Sequence, residues 1–393
     1  MKKNFILVCS VVFFAFVSCS FTKGISETSD KDKLLLELIS YVLERLHFEP
    51  TAVNDAFSVR VYDNFIGGLD PMKRYFLASD LETFEAYKTQ IDDQIKEIDI
   101  SFFNLVHERL IYRIDESKDL YQKALKGPYD FAEVDSLVVD YDLLTYAQSK
   151  KELEARWRAQ LKYVSLGTYH RSKENETLKT TEDPGYTPKD VIVLESEARA
   201  KTKESLEEYF DFVADLERKD WFVQYLNSIV ETYDPHTFYF APEEKDRFDM
   251  DMSGKFEGIG ARLQKRKDQT KIVEIISGGP VWRDQSIEVG DEIIKVGQSG
   301  EDPVDIVGMR LDDAIKLIKG PKGSLVDLTV KKVDGSLEVI SITRDVVKLE
   351  ETFAKTATVN QGDYKYGLIN LPKFYVDFED YNERNAATDI AAE

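Results

Sequence analysis

The spacing of apolar residues changes once along this chain of 393 residues, and that change constrains the fold more than any other feature. From about residue 30 to residue 235, apolar residues recur at the spacing that gives a helix one apolar face. After Ser253 they come in short runs such as KIVEII, DEIIKV and VDLTVKKV, which Gly, Pro and Asp-Gly separate. Such runs are typical of strands joined by turns. The sequence therefore predicts a multidomain chain, with an all-α domain followed by a small α+β domain.

The helical part carries recognisable start and stop signals. Ser79–Glu82 and Ser149–Glu152 match the capping box, and Gly67-Gly68 ends a segment. Helices are expected at 101–125, 151–163 and 191–230, with a polar loop at 174–189. The first segment has one wide apolar stripe, made of Leu34, Leu35, Leu38, Ile39, Val42, Leu43 and Leu46, and the second places Phe57, Val61 and Phe65 on one face. The predicted helical domain covers residues 30–245.

The α+β part, residues 246–346, has room for five or six short strands around one or two helices. Asp334-Gly335 between two apolar runs is the best hairpin signal. One helix interrupts the strands and ends at Gly320-Pro321. Its apolar residues Leu311, Ala314, Ile315 and Ile318 follow helical spacing.

The N-terminal residues have the pattern of a targeting segment. Two lysines precede an apolar run from Phe5 to Val17, which is too short to span a bilayer and suits the core of a signal peptide at residues 1–18. Val17-Ser18-Cys19 resembles a bacterial lipobox, so Cys19 is the predicted lipidation site and residues 19–29 a linker. An ordinary signal peptide or a buried anchor is the alternative. The expected location is the cell envelope, facing the periplasm, with the membrane contacted only through the lipid. Ser20 favours the outer membrane.

Charge and composition exclude several functions. The formal net charge is −21 and no basic patch stands out, so no nucleic-acid partner is expected. No His pair has metal-ligand spacing, and both cysteines lie in the targeting segment, so neither a metal nor another cofactor is expected. Of the four histidines only His236, in a turn at the domain boundary, is a candidate for coupling the two domains. A hydrogen bond that stabilises the turn is the other interpretation.

Gly258-Ile259-Gly260 admits three interpretations. A phosphate loop would need a helix after the glycines, whereas a strand pattern follows. A bulge or a tight strand entry is a purely structural explanation. The third is a cradle in which backbone N–H groups of Ile259, Gly260 and Ala261 hold a peptide carboxylate. In that case the following strand and the later helix form a peptide groove. Its predicted lining is Gly258, Arg262, Leu263, Leu311, Ala314, Ile315 and Ile318, with Arg262 either adding charge attraction or lying on the strand surface.

A glycine loop, a strand and a groove helix in this order resemble a PDZ domain, and GGPVWRDQSIEVGDEIIKV strengthens the match. The resemblance extends to the C-terminal processing, or tail-specific, serine peptidases. The segments Tyr233–Gln264 and Leu311–Val330 are similar to their hallmark motifs. Leu69–Phe84 resembles the helical N-terminal domain of the tail-specific protease branch, and Tyr366–Tyr375 the strand that begins the peptidase domain.

This resemblance implies recognition of apolar C-terminal tails of protein substrates, with an adaptor protein possible on the helical domain. It also implies a Ser nucleophile and a Lys base beyond the strand at Tyr366–Leu371. Neither motif occurs in these 393 residues, so no catalytic residue is assigned. Residues 347–393 are expected to be the truncated beginning of a peptidase domain, ending within a predicted helix. The alternative is a non-catalytic lipoprotein scaffold or adaptor that binds peptide tails.

Overall fold

The computed structural model describes residues 29–376, and the chain divides after Tyr239 into two compact units. The predicted signal peptide and Cys19 lie outside the described residues. The first unit is helical. Its helices are residues 29–46 (α1), Asp55–Leu69 (α2), Ala78–Phe84 (α3), Ile91–Glu97 (α4), Ser101–Ala124 (α5), Lys150–Glu182 (α6), Val191–Asp215 (α7) and Arg218–Tyr233 (α8). Short 3-10 turns at Glu85–Tyr87 and Tyr141–Leu143 complete it.

Aromatic side chains pack against one another within the core of the helical unit. Phe65 and Phe103 each pack against Tyr225, with ring centroids 5.0 and 5.7 Å apart, and all three side chains are buried. Such pairs add to the free energy of burial because their edges and faces carry opposite partial charges. The predicted apolar face of α2 is confirmed, since Phe57, Val61 and Phe65 are buried. This core joins α2, α5 and α8.

The apolar stripe of α1 is only partly covered. Of the predicted stripe, Ile39 and Leu43 are buried, but Leu34 and Leu46 are 64% and 70% exposed. Leu38 and Val42 are exposed as well. The spacing of leucines thus predicts the helix correctly, but the predicted stripe includes exposed residues and misses Leu36, which is fully buried.

Three of the predicted helix signals differ from the structure. Gly67 and Gly68 lie inside α2, which ends at Leu69. Helix α3 begins before Ser79, and the side chain that caps it is Asp80, whose Oδ2 accepts from the backbone N–H of Leu77 at 2.9 Å. The same carboxylate accepts from Nε of Arg113 at 2.8 Å. Ser149 does cap α6, but the Glu152 carboxylate accepts from Gln148 instead of Ser149.

Helix α6 continues through half of the predicted polar loop. Thr177 and Thr180 donate their hydroxyls to backbone carbonyls one turn earlier, so these polar residues stay within the helix. Glu176 then organises the connection to α7, because its carboxylate accepts from the N–H of Lys189 and the hydroxyl of Tyr186. These bonds and Lys179 lower the pKa of Glu176 to about 2. The helix expected at 191–230 is interrupted at 216–217.

The second unit combines a sheet with short helices. Its elements are Pro242–Ser253 (α9), Lys255–Gly258 (β1), Ala261–Arg266 (β2), Gln269–Ile275 (β3), Pro280–Asp284 (α10), Glu292–Gln298 (β4), Val304–Asp305 (β5), Leu311–Ile318 (α11), Leu325–Lys331 (β6), Leu337–Thr343 (β7), Asp345–Lys348 (β8), Lys355–Gln361 (β9) and Tyr364–Asn370 (β10). The α+β prediction for this part of the chain agrees with these elements.

The main sheet has the antiparallel order β2-β3-β4-β6-β7, with β5 paired to β4. Asp334-Gly335 forms the turn between β6 and β7, as predicted, with Gly335 at φ +89°. Pro280 opens α10 and Gly290-Asp291 precedes β4, which matches the PDZ-like pattern. Apolar side chains of the sheet, α10 and α11 form one core, which includes Ile272, Val281, Ala314, Ile318 and Leu328.

Two smaller ribbons lie outside this sheet. Strands β1 and β8 pair antiparallel, with Gly258 opposite Asp345, and β9 and β10 form an exposed hairpin. The strand expected near Tyr366 is therefore present, while the final predicted helix lies outside the described residues. Between residues 29 and 376 we find no helix that combines the length and apolarity needed to cross a bilayer.

Candidate peptide-binding site

Strand β2 is an edge strand with a helix beside it. It pairs only with β3 among the described strands, so the outer edge of its backbone is open to another strand. Helix α11 packs next to β2. An extended peptide that paired with β2 would therefore lie between the strand and the helix, which is the arrangement used in recognition by β-strand addition.

The predicted lining residues divide into two groups. Ala314 and Ile318 are buried and belong to the core of the unit. Leu263, Leu311 and Ile315 are half-buried and keep accessible apolar surface. The helix thus faces the core with one side and offers apolar side chains beside β2 with another. Apolar side chains in a partly open position suit an apolar ligand.

The loop between β1 and β2 presents backbone N–H groups that have no acceptor among residues 29–376. The carbonyl of Ile259 accepts from Val281 at 2.9 Å and that of Gly260 accepts from Ile276 at 2.9 Å. Within the described residues, neither Ile259 nor Gly260 donates a backbone hydrogen bond. The Ile259 side chain is buried and anchors the loop. Consecutive N–H groups of this kind form a site for an anion such as a carboxylate.

Gly260 also has a structural reason to be glycine. Its φ is +78°, and a Cβ there would lie 3.0 Å from the Cα of Gly279 and 3.3 Å from Cδ of Pro280. Both the backbone conformation and the close approach disfavour a side chain. The tight strand entry that the sequence allowed is therefore present, and it holds the free N–H groups in place.

Arg262 is engaged with a neighbouring strand. Its Nη1 lies 2.8 Å from Oε2 of Glu274 on β3, and its side chain is 60% exposed. This geometry matches the strand-surface interpretation of Arg262, since the cation already has a carboxylate partner. The other predicted binding residues occupy the end of β1, the β1–β2 loop, β2 and α11, and their roles stay predictions.

Sequence reasoning missed Arg344, which holds the end of α11. This buried residue donates from Nε to the carbonyl of Ile318 at 2.8 Å and from Nη2 to that of Leu317 at 3.0 Å. It also donates to Gln298, Ser324 and Leu325. Burial lowers the pKa of Arg344. A single arginine after an alternating strand gave no signal of this role.

A cluster of charged side chains lies beside the β1–β8 ribbon. Asp345 binds Arg283 at 2.8 Å and Lys322 at 3.4 Å. The hydrogen bond from Arg283, followed by that from the N–H of Val346, lowers the pKa of Asp345 to about 2. Glu257 accepts from the N–H of Lys322 at 3.1 Å. These contacts tie the start of the candidate loop to the segment after α11.

His236 and His47 both contact Asp234 in the turn that follows α8. The N–H of His236 donates to Asp234, whose other oxygen contacts His47 at 3.1 Å, so this turn has the stabilising hydrogen bond that the sequence allowed. The Asp234 carboxylate also accepts a hydrogen bond from the hydroxyl of Thr237. This bond, followed by those from His236 and His47, lowers the pKa of Asp234 to about 2. No group of His, Cys, Asp and Glu side chains in the described part of the chain could hold a metal ion.

Comparisons with known proteins agree with this architecture. A family model described as the tail-specific protease N-terminal domain matches residues 39–243, and a PDZ-domain model matches residues 248–331. The tail-specific protease of Haemophilus influenzae is 27% identical over 356 residues, which cover 90% of this chain and 48% of that protein. The carboxy-terminal processing protease CtpA of Bacillus subtilis is 32% identical over 130 residues, which cover 33% of this chain and 27% of that protein.

The chain therefore spans about half the length of the Haemophilus protein and less of the Bacillus one. Among solved structures, the PDZ domain of a carboxy-terminal protease from Vibrio cholerae in complex with peptide is 49% identical. That match covers 24% of this chain and 99% of the solved one, with a TM-score of 0.24.

Proposed function

Because the chain belongs to the tail-specific protease family, with a helical N-terminal domain followed by a PDZ domain, we propose that its PDZ unit captures the apolar C-terminal tails of protein substrates. The captured tail would be delivered to a serine-type endopeptidase activity. Neither of the family's catalytic motifs occurs in these 393 residues.

The observation that carries this proposal is the pair of free N–H groups at the entry to an edge strand. Ile259 and Gly260 donate no backbone hydrogen bond within the described residues, while their carbonyls are both occupied. A C-terminal carboxylate fills such a site with charge-assisted hydrogen bonds. The residues just before that carboxylate would then pair with β2.

The apolar preference follows from the neighbouring side chains. Leu263, Leu311 and Ile315 are half-buried without lying inside the core of the unit. Burying an apolar terminal side chain against them removes apolar surface from water. A tail with a charged last residue would instead lose hydration without a partner.

We assign the remaining parts of the chain by the same family relationship. Residues 347–393 would begin the peptidase domain, and the β9–β10 hairpin is its first strand pair. The helical unit would shape the space around the substrate or contact an adaptor protein. The exposed apolar face of α1, which includes Leu34 and Leu46, supports such a contact.

The proposed location is the bacterial cell envelope, with the protein facing the periplasm and anchored through a lipid on Cys19. The apolar run from Phe5 to Val17, which suits the core of a signal peptide, supports this proposal, and the outer membrane is the proposed site of the anchor. Growth with a labelled fatty acid tests it, since the label should enter the wild-type chain and not the Cys19→Ser variant. A wild-type chain that takes up no label would contradict the anchor.

Peptide binding tests the central proposal. We expect an apolar peptide with a free carboxylate to bind the whole chain at least about tenfold more tightly than its C-terminal amide, because only the carboxylate fills the N–H groups with an ionised acceptor. Ile315→Asp should weaken binding of the free-carboxylate peptide, whereas Val339→Asp, on the exposed face of β7, should not. Equal binding of acid and amide would refute the carboxylate cradle.

The second candidate is a scaffold or adaptor that binds tails and takes no part in proteolysis. A cleavage assay on an unfolded protein with an apolar tail separates the two. The scaffold proposal expects binding without stimulation of any peptidase, whereas the leading proposal expects cleavage once these residues are joined to the family's Ser and Lys motifs. Failure of such a joined protein to cut would favour the scaffold.

A further inference from the structure

The candidate carboxylate cradle has a cation beside it that the sequence pattern did not single out. Lys319 directly follows α11, and its N–H donates to the carbonyl of Ile315 at 2.8 Å. Its Cγ lies 3.7 Å from the position that a Cβ would take at Gly258, the residue before the loop.

Lys319 is held in this place by an aromatic ring. Its Nζ lies 5.7 Å from the ring centroid of Phe256, within the range of a cation–π contact. Phe256 precedes Gly258 on the same face of β1, and its ring lies 3.4 Å from the Cβ position of Gly258. Because glycine leaves this face open, the lysine stem and the ring both approach the start of the loop.

The other cations near the loop already have carboxylate partners. The pairs are Arg262 with Glu274, Arg283 and Lys322 with Asp345, and Lys316 with Glu243 and Asp313. Lys319 is half-buried as a residue, and within residues 29–376 its ammonium group has no carboxylate partner. A positive charge whose contact is an aromatic ring and not a carboxylate is thus retained here in a chain of net charge −21.

We propose that Lys319 supplies the positive charge that attracts and selects the free carboxylate of a bound peptide tail. This inference rests on the proposed function, because it places the carboxylate at the N–H groups of Ile259 and Gly260. Those N–H groups orient the bound carboxylate. The ammonium attracts its negative charge, which an amide terminus lacks. Lys319 thereby takes the role in charge attraction that the sequence suggested for Arg262.

Anisotropy measurements on the whole chain test this role. The probe is a short fluorescein-labelled peptide that ends in Ala-Val with a free carboxylate, together with its C-terminal amide. We expect Lys319→Met to weaken binding of the free-carboxylate peptide by about threefold to tenfold and to leave the amide unchanged, as removal of a partly exposed charge contact should. Lys319→Arg should retain the preference. Lys295→Met, which removes an exposed charge on β4, is the matched control and should bind like wild type.

The outcomes separate this inference from the proposed function. Wild-type chain that binds acid and amide equally would refute both the cradle and the role of Lys319. Wild type that prefers the acid, together with a Lys319→Met variant that keeps the whole preference, would refute only the lysine. Should the variant fail to fold, the salt dependence of wild type decides: the preference for the acid must fall as salt is added, and a preference unaffected by salt would overturn the proposal.

Discussion

Nε of Arg344, which directly follows β7, donates to the carbonyl oxygen of Ile318 at the end of α11 at 2.8 Å. The guanidinium thereby fills carbonyls that the last turn of any helix leaves without partners. A positive charge at this end also complements the helix dipole. The helix beside the candidate peptide strand is thus held at its C-terminal end by a residue outside the helix.

We predict that Arg344→Met destabilises the PDZ unit by about 3 kcal/mol, because buried carbonyls lose their donors. Hydrogen exchange read by mass spectrometry measures this change separately in each unit, and exchange should rise across residues 255–348. Arg283→Met removes an exposed partner of Asp345 and should cost less than about 1 kcal/mol. Similar exchange in the two variants would show that the bonds of Arg344 contribute little.

Alanine substitutions at Gly260 and Gly258 should differ in their effect on stability. Gly260→Ala places a Cβ 3.0 Å from the Cα of Gly279 at a φ of +78°, so we predict a loss of about 1–3 kcal/mol and a weaker hold on peptide. At Gly258 the nearest atom would be 3.4 Å away and φ is ordinary, so Gly258→Ala should change stability little. Urea denaturation of both variants checks the difference. If the two variants were equally stable, the close packing at Gly260 would not matter to folding.

His107 gives the helical unit a dependence on pH. Burial, with a smaller effect of Arg218, lowers the pKa of His107 to about 4, and its ring stacks on Phe103. A histidine in the unfolded chain has a pKa of about 6.5. The unfolded state therefore binds the extra proton before the folded state does as pH falls. We predict that stability of this unit decreases between about pH 6.5 and pH 4, and that this decrease is smaller in His107→Gln.

Thermal unfolding followed by circular dichroism across that pH range measures the effect. His170→Gln is the control, because His170 is largely exposed on α6 and should leave the pH profile unchanged. A wild-type profile that is flat relative to His107→Gln would contradict the lowered pKa.

The fold class was predictable because local patterns decide it. The spacing of Phe57, Val61 and Phe65 gave α2, and Asp334-Gly335 gave the β6–β7 hairpin. Errors arose where surface polarity hid a helix, as at Thr177 and Thr180 in α6. Capping was also misassigned at Ser79, since Asp80 is selected by its tertiary contact with Arg113 and not by local sequence alone.

The candidate site was predictable in outline and not in its electrostatics. Glycine spacing and the helix pattern placed the loop, the strand and α11. The partners of charged side chains depend on contacts across the sheet, so sequence alone could not pair Arg262 with Glu274 or bring Lys319 beside Gly258. Arg344 was missed for the same reason, since its carbonyl acceptors lie 19–27 positions away in the chain.

The β1–β8 ribbon places Gly258 opposite Asp345. The segment between these two residues therefore begins and ends at neighbouring positions in space, as does a domain that is inserted into a host chain. Such an arrangement lets the segment be exchanged as a cassette, since a short turn could join the same two strands without it. Relatives could thus acquire new tail preferences by replacing the cassette while β1 and β8 stay in place.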